Sequence, residues 1–289
     1  MRKRLNAVIS LFCVAILLGA CGKKKEEVPP SHTTQAEEPV DVMPEHEISF
    51  EVDLRALTAL SSESKSWGPG VNTDEKNRPT GAISYQEKYG QYDADFIKED
   101  TQEIYLTLDE GYENGYTSVI LDVLKEKRVS AVFFITMPYA KNEADLVRRM
   151  IDEGHVVGAH SVTHPAKGIP SLSLEEQLEE LRGLHEYVKQ EFDYDMYLFR
   201  YPAGIFSEQS LALVQATGYR SVFWSFAYRD WETDNQPNSA EALKKSCDRL
   251  HPGAIYLLHA VSSTNAQIMG EFIDRARDAG YEFVKYEAE

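Results

Sequence analysis

Short runs of β-branched and aromatic residues alternate with amphipathic stretches along the C-terminal two-thirds of the chain. That alternation is the pattern of repeated βα units joined through parallel strands. Seven strands are predicted: Ile104 to Asp109, Ala131 to Thr136, His155 to His160, Leu198 to Arg200, Ser221 to Ser225, Ala254 to His259 and Glu282 to Tyr286. Between them the spacing predicts helices such as Leu174 to Phe192, whose entry Ser173-Leu174-Glu175-Glu176 reads as a capping box, and Asn265 to Ala279, which stops at Gly280. Asp109, Glu110, His160, His164, Arg200, Asp230 and His259 all fall at or just beyond the C-terminal ends of predicted strands. In a (β/α) barrel that is the face where the βα loops build an active site.

The N terminus breaks this pattern. Met1-Arg2-Lys3-Arg4 is basic and leads into an apolar stretch from about Ala7 to Leu18, too short to span a bilayer as a helix, so residues 1–20 read as a signal peptide. The segment closes on Leu18-Gly19-Ala20-Cys21, which resembles a bacterial lipobox. Cys21 is therefore the candidate lipidation site, and the expected location is the outer face of the cytoplasmic membrane. Residues 21–50, rich in Lys, Glu, Pro, Thr and Ser, bury too little apolar surface to fold and read as a tether. Residues 51–100 show no clear period and are expected to wrap the barrel, and residues 101–289 form the expected catalytic domain.

Composition narrows the partners. With a net charge of -17 the chain lacks the clustered cations that nucleic acid requires. Lys23-Lys24-Lys25, beside a lipidated cysteine, instead suits lipid headgroups. Of the three cysteines, Cys13 lies in the leader, Cys21 would be acylated and Cys247 has no partner left, so no disulfide framework is available. One domain of this size has no obvious need of a second copy, and a monomer is expected.

Chemistry enters with His160-Ser161-Val162-Thr163-His164, two histidines four apart at a strand end, a spacing that lets both imidazoles face one point. A catalytic divalent metal takes three protein ligands and an open position for water. His160, His164 and one of the adjacent carboxylates Asp109 and Glu110 fit that count, leaving the other carboxylate as a base. His259, ending the apolar run Ile255-Tyr256-Leu257-Leu258, is placed to protonate a leaving amine. His155 and His185 read as structural or solvated, and the acidic pairs on Leu174 to Leu184 as a solvated helix face.

These residues carry a resemblance. Thr107-Leu108-Asp109-Glu110-Gly111, His160-Ser161-Val162-Thr163-His164, Arg200-Tyr201-Pro202-Ala203-Gly204, Asp230-Trp231 and Leu258-His259 resemble, in order, the motifs of the polysaccharide deacetylase (NodB-like carbohydrate esterase) family. Longer strings, among them Gly111 to Thr117 and His251 to His259, are similar to its delta-lactam-biosynthetic de-N-acetylase branch. The resemblance implies an α/β fold, a distorted (β/α)7 TIM-like barrel, and de-N-acetylation of N-acetylmuramic acid in peptidoglycan glycan strands. N-acetylglucosamine as the substrate and a non-catalytic glycan-binding lipoprotein are the alternatives. Carried over by position, Asp109 is the base, His160, His164 and Glu110 hold a divalent metal such as zinc, and Arg200 orients Asp109. His259 is the acid, Asp230 fixes its tautomer, and the backbone N–H of Ala203 meets the oxyanion. Glu110 stands where the family has aspartate, so the implied metal site is expected to be retained but shifted, with weak or absent metal binding as the alternative.

Overall fold

The structure is a computed structural model that describes residues 47–287. The expected leader, Cys21 and most of the expected tether lie outside the described residues. Among the described residues no helix is long and apolar enough to cross a membrane.

The βα pattern folds into one curled sheet of nine strands, all paired in parallel. These are β1 (Ala94–Asp95), β2 (Glu103–Glu110), β3 (Val132–Ile135), β4 (Val156–Ala159), β5 (Leu198–Phe199), β6 (Arg220–Val222), β7 (Phe226–Ala227), β8 (Ala254–His259) and β9 (Glu282–Phe283). Their spatial order is β1-β6-β5-β4-β3-β2-β8-β7, with β9 beside the start of β2. The result is a half-barrel, the distorted barrel expected, with β1 and β7 at its two ends. Strands β3 and β4 are buried along their whole length, as parallel strands covered on both faces must be.

All seven expected strands are present; β1 and β7 are additional in this sheet, and Lys65–Ser66 pairs with Ile205–Phe206 in a separate antiparallel pair. The run expected from Ser221 to Ser225 leaves the sheet after Val222 because its next backbone carbonyls are taken by side chains. Arg200 donates to the carbonyls of Val222 and Phe223, each at 3.0 Å, and Trp67 Nε1 donates to that of Trp224, also at 3.0 Å. The chain then rejoins the other end of the sheet as β7. The helix expected over Leu174 to Phe192 has those bounds and the capping box of Ser173 and Glu176. The last helix runs Ser263–Asp278, starting two residues before the expected Asn265, with Ser262 as its N-cap.

The segment expected as a wrap is drawn into the fold at several places, two of which matter for the sheet. Ala94–Asp95 is a strand of the main sheet, too short to show a period. Trp67 is buried among Tyr85, Phe96 and Phe223, and Phe96 stacks on Phe223 with centroids 4.2 Å apart. Such aromatic pairs contribute roughly 0.5–1.5 kcal/mol each beyond the area they bury. They fill the side of the half-barrel that the strands leave open.

Two histidines away from the C-terminal strand ends report on folding. The Nδ1 of His155 accepts from the N–H of Ala131 at 3.1 Å, and the Nε2 of His251 pairs with Ser225 Oγ at 2.8 Å. Burial pushes both imidazoles down to about 4 from an ordinary 6.5. Between those values the unfolded chain binds the proton and the native chain resists it, so stability is lost as pH falls from 6.5 toward 4. Urea midpoints measured across that window will fall with pH, and His251→Asn will flatten the slope.

Candidate active site

Parallel register assembles the site. β8 lies against β2 with His259 opposite Asp109, and β4 lies against β5 with Ala159 opposite Phe199, so His160 and Arg200 emerge side by side one residue later. Side chains alternate along a strand. Thr107 and Asp109 therefore share the inner face of β2, where both meet Arg200.

Arg200 is fully buried and every arm of its guanidinium is occupied. Nη1 donates to Asp109 Oδ1 at 2.9 Å and to Thr107 Oγ1 at 2.7 Å, Nε and Nη2 hold the two carbonyls after β6, and the plane lies 4.2 Å from the Phe134 ring centroid. Burial pushes the Asp109 carboxyl up, but Arg200 and the imidazoles of His160 and His259 outweigh it and hold the group below the usual carboxylate range. Asp109 is thus an anion kept ready inside the barrel.

His259 is held in the opposite sense. Its Nδ1 meets Asp230 Oδ1 at 2.7 Å and its backbone N–H donates to Asp230 Oδ2 at 2.9 Å. Burial lowers the imidazole, yet the hydrogen bond and charge of Asp230, with Asp109 behind them, raise it above the ordinary histidine value. The bond to Asp230 leaves Nε2 as the nitrogen open to proton transfer.

Glu110 departs from the expectation that it is a metal ligand. One residue beyond Asp109, it points to the outer face of β2, is fully buried, and lines neither lobe of the catalytic cavity. Both its carboxyl oxygens are buried without a hydrogen-bond partner among the described residues. Burial, then the charges of Glu113 and Asp109, push its pKa well above the usual carboxylate range. The strand alternation that turns Asp109 inward turns its neighbour away.

His160 and His164 do come together, with ring centroids 5.0 Å apart. His160 Nδ1 donates to the carbonyl of Arg200 at 2.9 Å, which aims Nε2 at Asp109 Oδ2, 3.5 Å away. Among the described residues no three His, Cys, Asp or Glu side chains converge closely enough to hold a metal ion. The three-ligand set with a separate base is therefore not assembled, because the second carboxylate is on the wrong face. Ser161, His164 and Ala203 all take left-handed backbone conformations, strain that tends to collect at functional sites.

The cavity has two lobes of about 410 Å³ each that share Asp109, His160, His164, Trp231 and His259. Tyr112, Pro138 and Val261 wall the first, and Tyr201, Ala203 and Trp224 the second. Trp231 and Tyr112 are 49% and 55% exposed and present aromatic faces at its mouth.

Residues 97–222 match the family model described as polysaccharide deacetylase. The chain is 40% identical over 228 residues to the peptidoglycan-N-acetylmuramic acid deacetylase PdaA of Bacillus subtilis, covering 78% of this chain and 85% of that protein. It is 41% identical over 227 residues to an uncharacterized 30.6 kDa protein of Geobacillus stearothermophilus, covering 78% and 84%. The solved structure of Bacillus subtilis PdaA, a family 4 carbohydrate esterase, superposes with a TM-score of 0.73 at 36% identity, over 78% of this chain and 96% of that one. The chain belongs to the polysaccharide deacetylase family and is a deacetylase hydrolase. Deacetylases of this family are metal-dependent, generally with zinc or cobalt; the position of Glu110 sets this donor set apart.

Several supporting residues escape sequence reasoning. Thr107 is one of them, although the period of two, which puts it on the same face as Asp109, is a signal that could have found it. Glu180, expected on a solvated helix face, instead turns inward at 8% exposure and accepts from the N–H and hydroxyl of Thr163 at 2.8 and 2.7 Å, fixing the loop that carries His164. His155 and His185 are structural, the latter paired with the Tyr219 hydroxyl at 2.7 Å.

Removing one partner of a buried ion pair strands the other charge, at a cost of about 3–5 kcal/mol. Arg200→Met should lower the unfolding free energy by that order in urea titrations. The double variant Arg200→Met with Asp109→Leu should recover part of the loss.

Proposed function

We propose that this chain removes the acetyl group from the 2-acetamido substituent of N-acetylmuramic acid residues in peptidoglycan. The observation that carries the reading is the pair Asp109 and His259. They flank one cavity, and separate buried partners hold one ionised and the other biased toward its protonated form. Two titratable groups pushed apart in this way suit a base and an acid acting in one reaction. The muramic acid preference rests on the similarity to the Bacillus subtilis enzyme over most of its length.

In this reading Asp109, aligned by Arg200, takes a proton from water as the water oxygen bonds to the acetamide carbonyl carbon. The negative charge that develops on the carbonyl oxygen is met by the backbone N–H of Ala203. Protonated His259, steadied by Asp230, gives its Nε2 proton to the amide nitrogen as the C–N bond breaks. Acetate and a free amine leave, and both side chains regain their resting protonation from solvent. Trp231 and Tyr112 offer flat faces on which pyranose rings can stack. The freed amine could then close on the lactyl carboxyl of the same residue with loss of water, forming a muramic delta-lactam of the kind that spore cortex carries. Anchoring through Cys21 outside the membrane would place the enzyme beside this polymer.

The test is mass analysis of muramidase-digested peptidoglycan after treatment with the protein. Loss of one acetyl mass from muramic acid residues is expected; loss from glucosamine residues alone would move the specificity to the other sugar. Asp109→Asn should lower the rate by about 10²–10⁴-fold. The reaction needs Asp109 ionised and His259 protonated. Its rate should therefore fall as pH drops through the lowered pKa of Asp109 and as pH rises through the raised pKa of His259. Asp230→Asn, by removing the charge that raises His259, should move the alkaline limb to lower pH.

A further inference from the structure

Behind His259 lies a layer of hydrogen bonds that the reaction above leaves unused. Asp230 is fully buried, and after Oδ1 has met the imidazole its Oδ2 accepts from two donors, the His259 backbone N–H at 2.9 Å and Asn265 Nδ2 at 2.6 Å. The same Asn265 amide donates to the carbonyl of His259 at 3.0 Å, and its Oδ1 accepts from the hydroxyl of Tyr228. Asn265 is itself fully buried, and its backbone N–H donates to the N-cap oxygen of Ser262 at 3.1 Å, in the first turn of the helix Ser263–Asp278. Gln236 ties the Asp230 loop to that turn, donating to the carbonyl of Asp230 at 2.7 Å and accepting from Ser262 Oγ at 2.6 Å.

We propose that Asn265 is a positioning residue for the general acid, its side-chain amide fixing the rotation of the Asp230 carboxylate so that Oδ1 faces His259 Nδ1. The inference rests on His259 acting as the acid. A carboxylate turns about its last torsion in a broad, two-fold well, so the bond to the imidazole does not fix its plane by itself, and Oδ2 is held by the His259 backbone N–H and the shorter bond from Asn265 together. Asn265 holds Oδ2 while the ring holds Oδ1, and its second amide proton goes to the His259 backbone carbonyl. Both amide protons and the amide oxygen are thereby used, a saturated geometry that an apolar residue of similar volume would not need. Tyr228 acts one bond further out, by settling which end of the Asn265 amide faces Asp230. The charged groups facing His259 are Asp230 from the loop after β7, Asp109 from β2 and Arg200 from the end of β5. Of these, Asp230 is the one whose orientation Asn265 controls.

The experiment follows His259 in the full-length protein by NMR with ¹⁵N-labelled histidine, assigned with His259→Gln, alongside kinetics on peptidoglycan. In Asn265→Ala a fraction of the carboxylate turns away and the imidazolium loses its best partner. The His259 midpoint is expected to fall by about half a unit or more, and its Nδ1 proton to exchange faster with water. Loss of a supporting hydrogen bond of this kind typically costs about 10–100-fold in activity, here expected in kcat with KM held. Tyr228→Phe should move the midpoint and kcat in the same directions by less. A folded Asn265→Ala protein whose His259 titrates as in the wild type and whose kcat is kept would overturn the proposal, as would a change confined to KM. Should Asn265→Ala fail to fold, Tyr228→Phe decides, and an unmoved His259 midpoint there counts against it. The titration needs no turnover, so absence of deacetylation in the wild type would count against the substrate reading and leave the NMR result to judge Asn265.

Discussion

A guanidinium with no access to water sets the terms for everything around it. Burying Arg200 is tolerable because Asp109 supplies the opposite charge and because Thr107, Val222 and Phe223 take three more of its donors. Those two carbonyls are then unavailable to the sheet, so the chain leaves it after Val222, with the Phe223 N–H making a last bond to the Asp95 carbonyl at 2.8 Å, and rejoins at the far end. The break in the sheet after Val222 and the low pKa of Asp109 thus both involve Arg200.

The two halves of the site are built on different principles. Asp109 is governed by charge, with a permanent cation at 2.9 Å overcoming the cost of burial. His259 is governed by hydrogen-bond geometry, since its partner Asp230 has to present the correct oxygen before its charge counts. Charge is forgiving of small displacements and hydrogen-bond direction is not. That contrast explains why the histidine side carries the denser support, with Asn265, Tyr228, Gln236 and Ser262 packed around a single carboxylate.

Much of this was legible in the sequence because strand ends and helix caps are local signals. The β-branched runs located seven strands, Ser173 and Glu176 marked the start of a helix, and the chemistry-bearing residues clustered at one end of the strands. What stayed hidden depended on direction or on distance. Asp109 and Glu110 look equivalent in a string of letters, yet the pleat sends them to opposite faces, and only one sees the cavity. Ala94–Asp95 is too short to have a period, and its pairing with β6 depends on a partner more than a hundred residues away. Glu180 and Asn265 sit in helices whose outward appearance is polar, and their inward turn follows from packing against loops.

The site also has a history along the chain. His259 reaches Asp109 only when β8 docks against β2, across about 150 residues, and Trp67 closes the open side by bonding to Trp224 across 157. Contacts of such long separation form slowly, because the loop between them must first be closed. Acid and base therefore meet only when most of the sheet already exists, and a chain caught partway through folding has no means of cutting an amide.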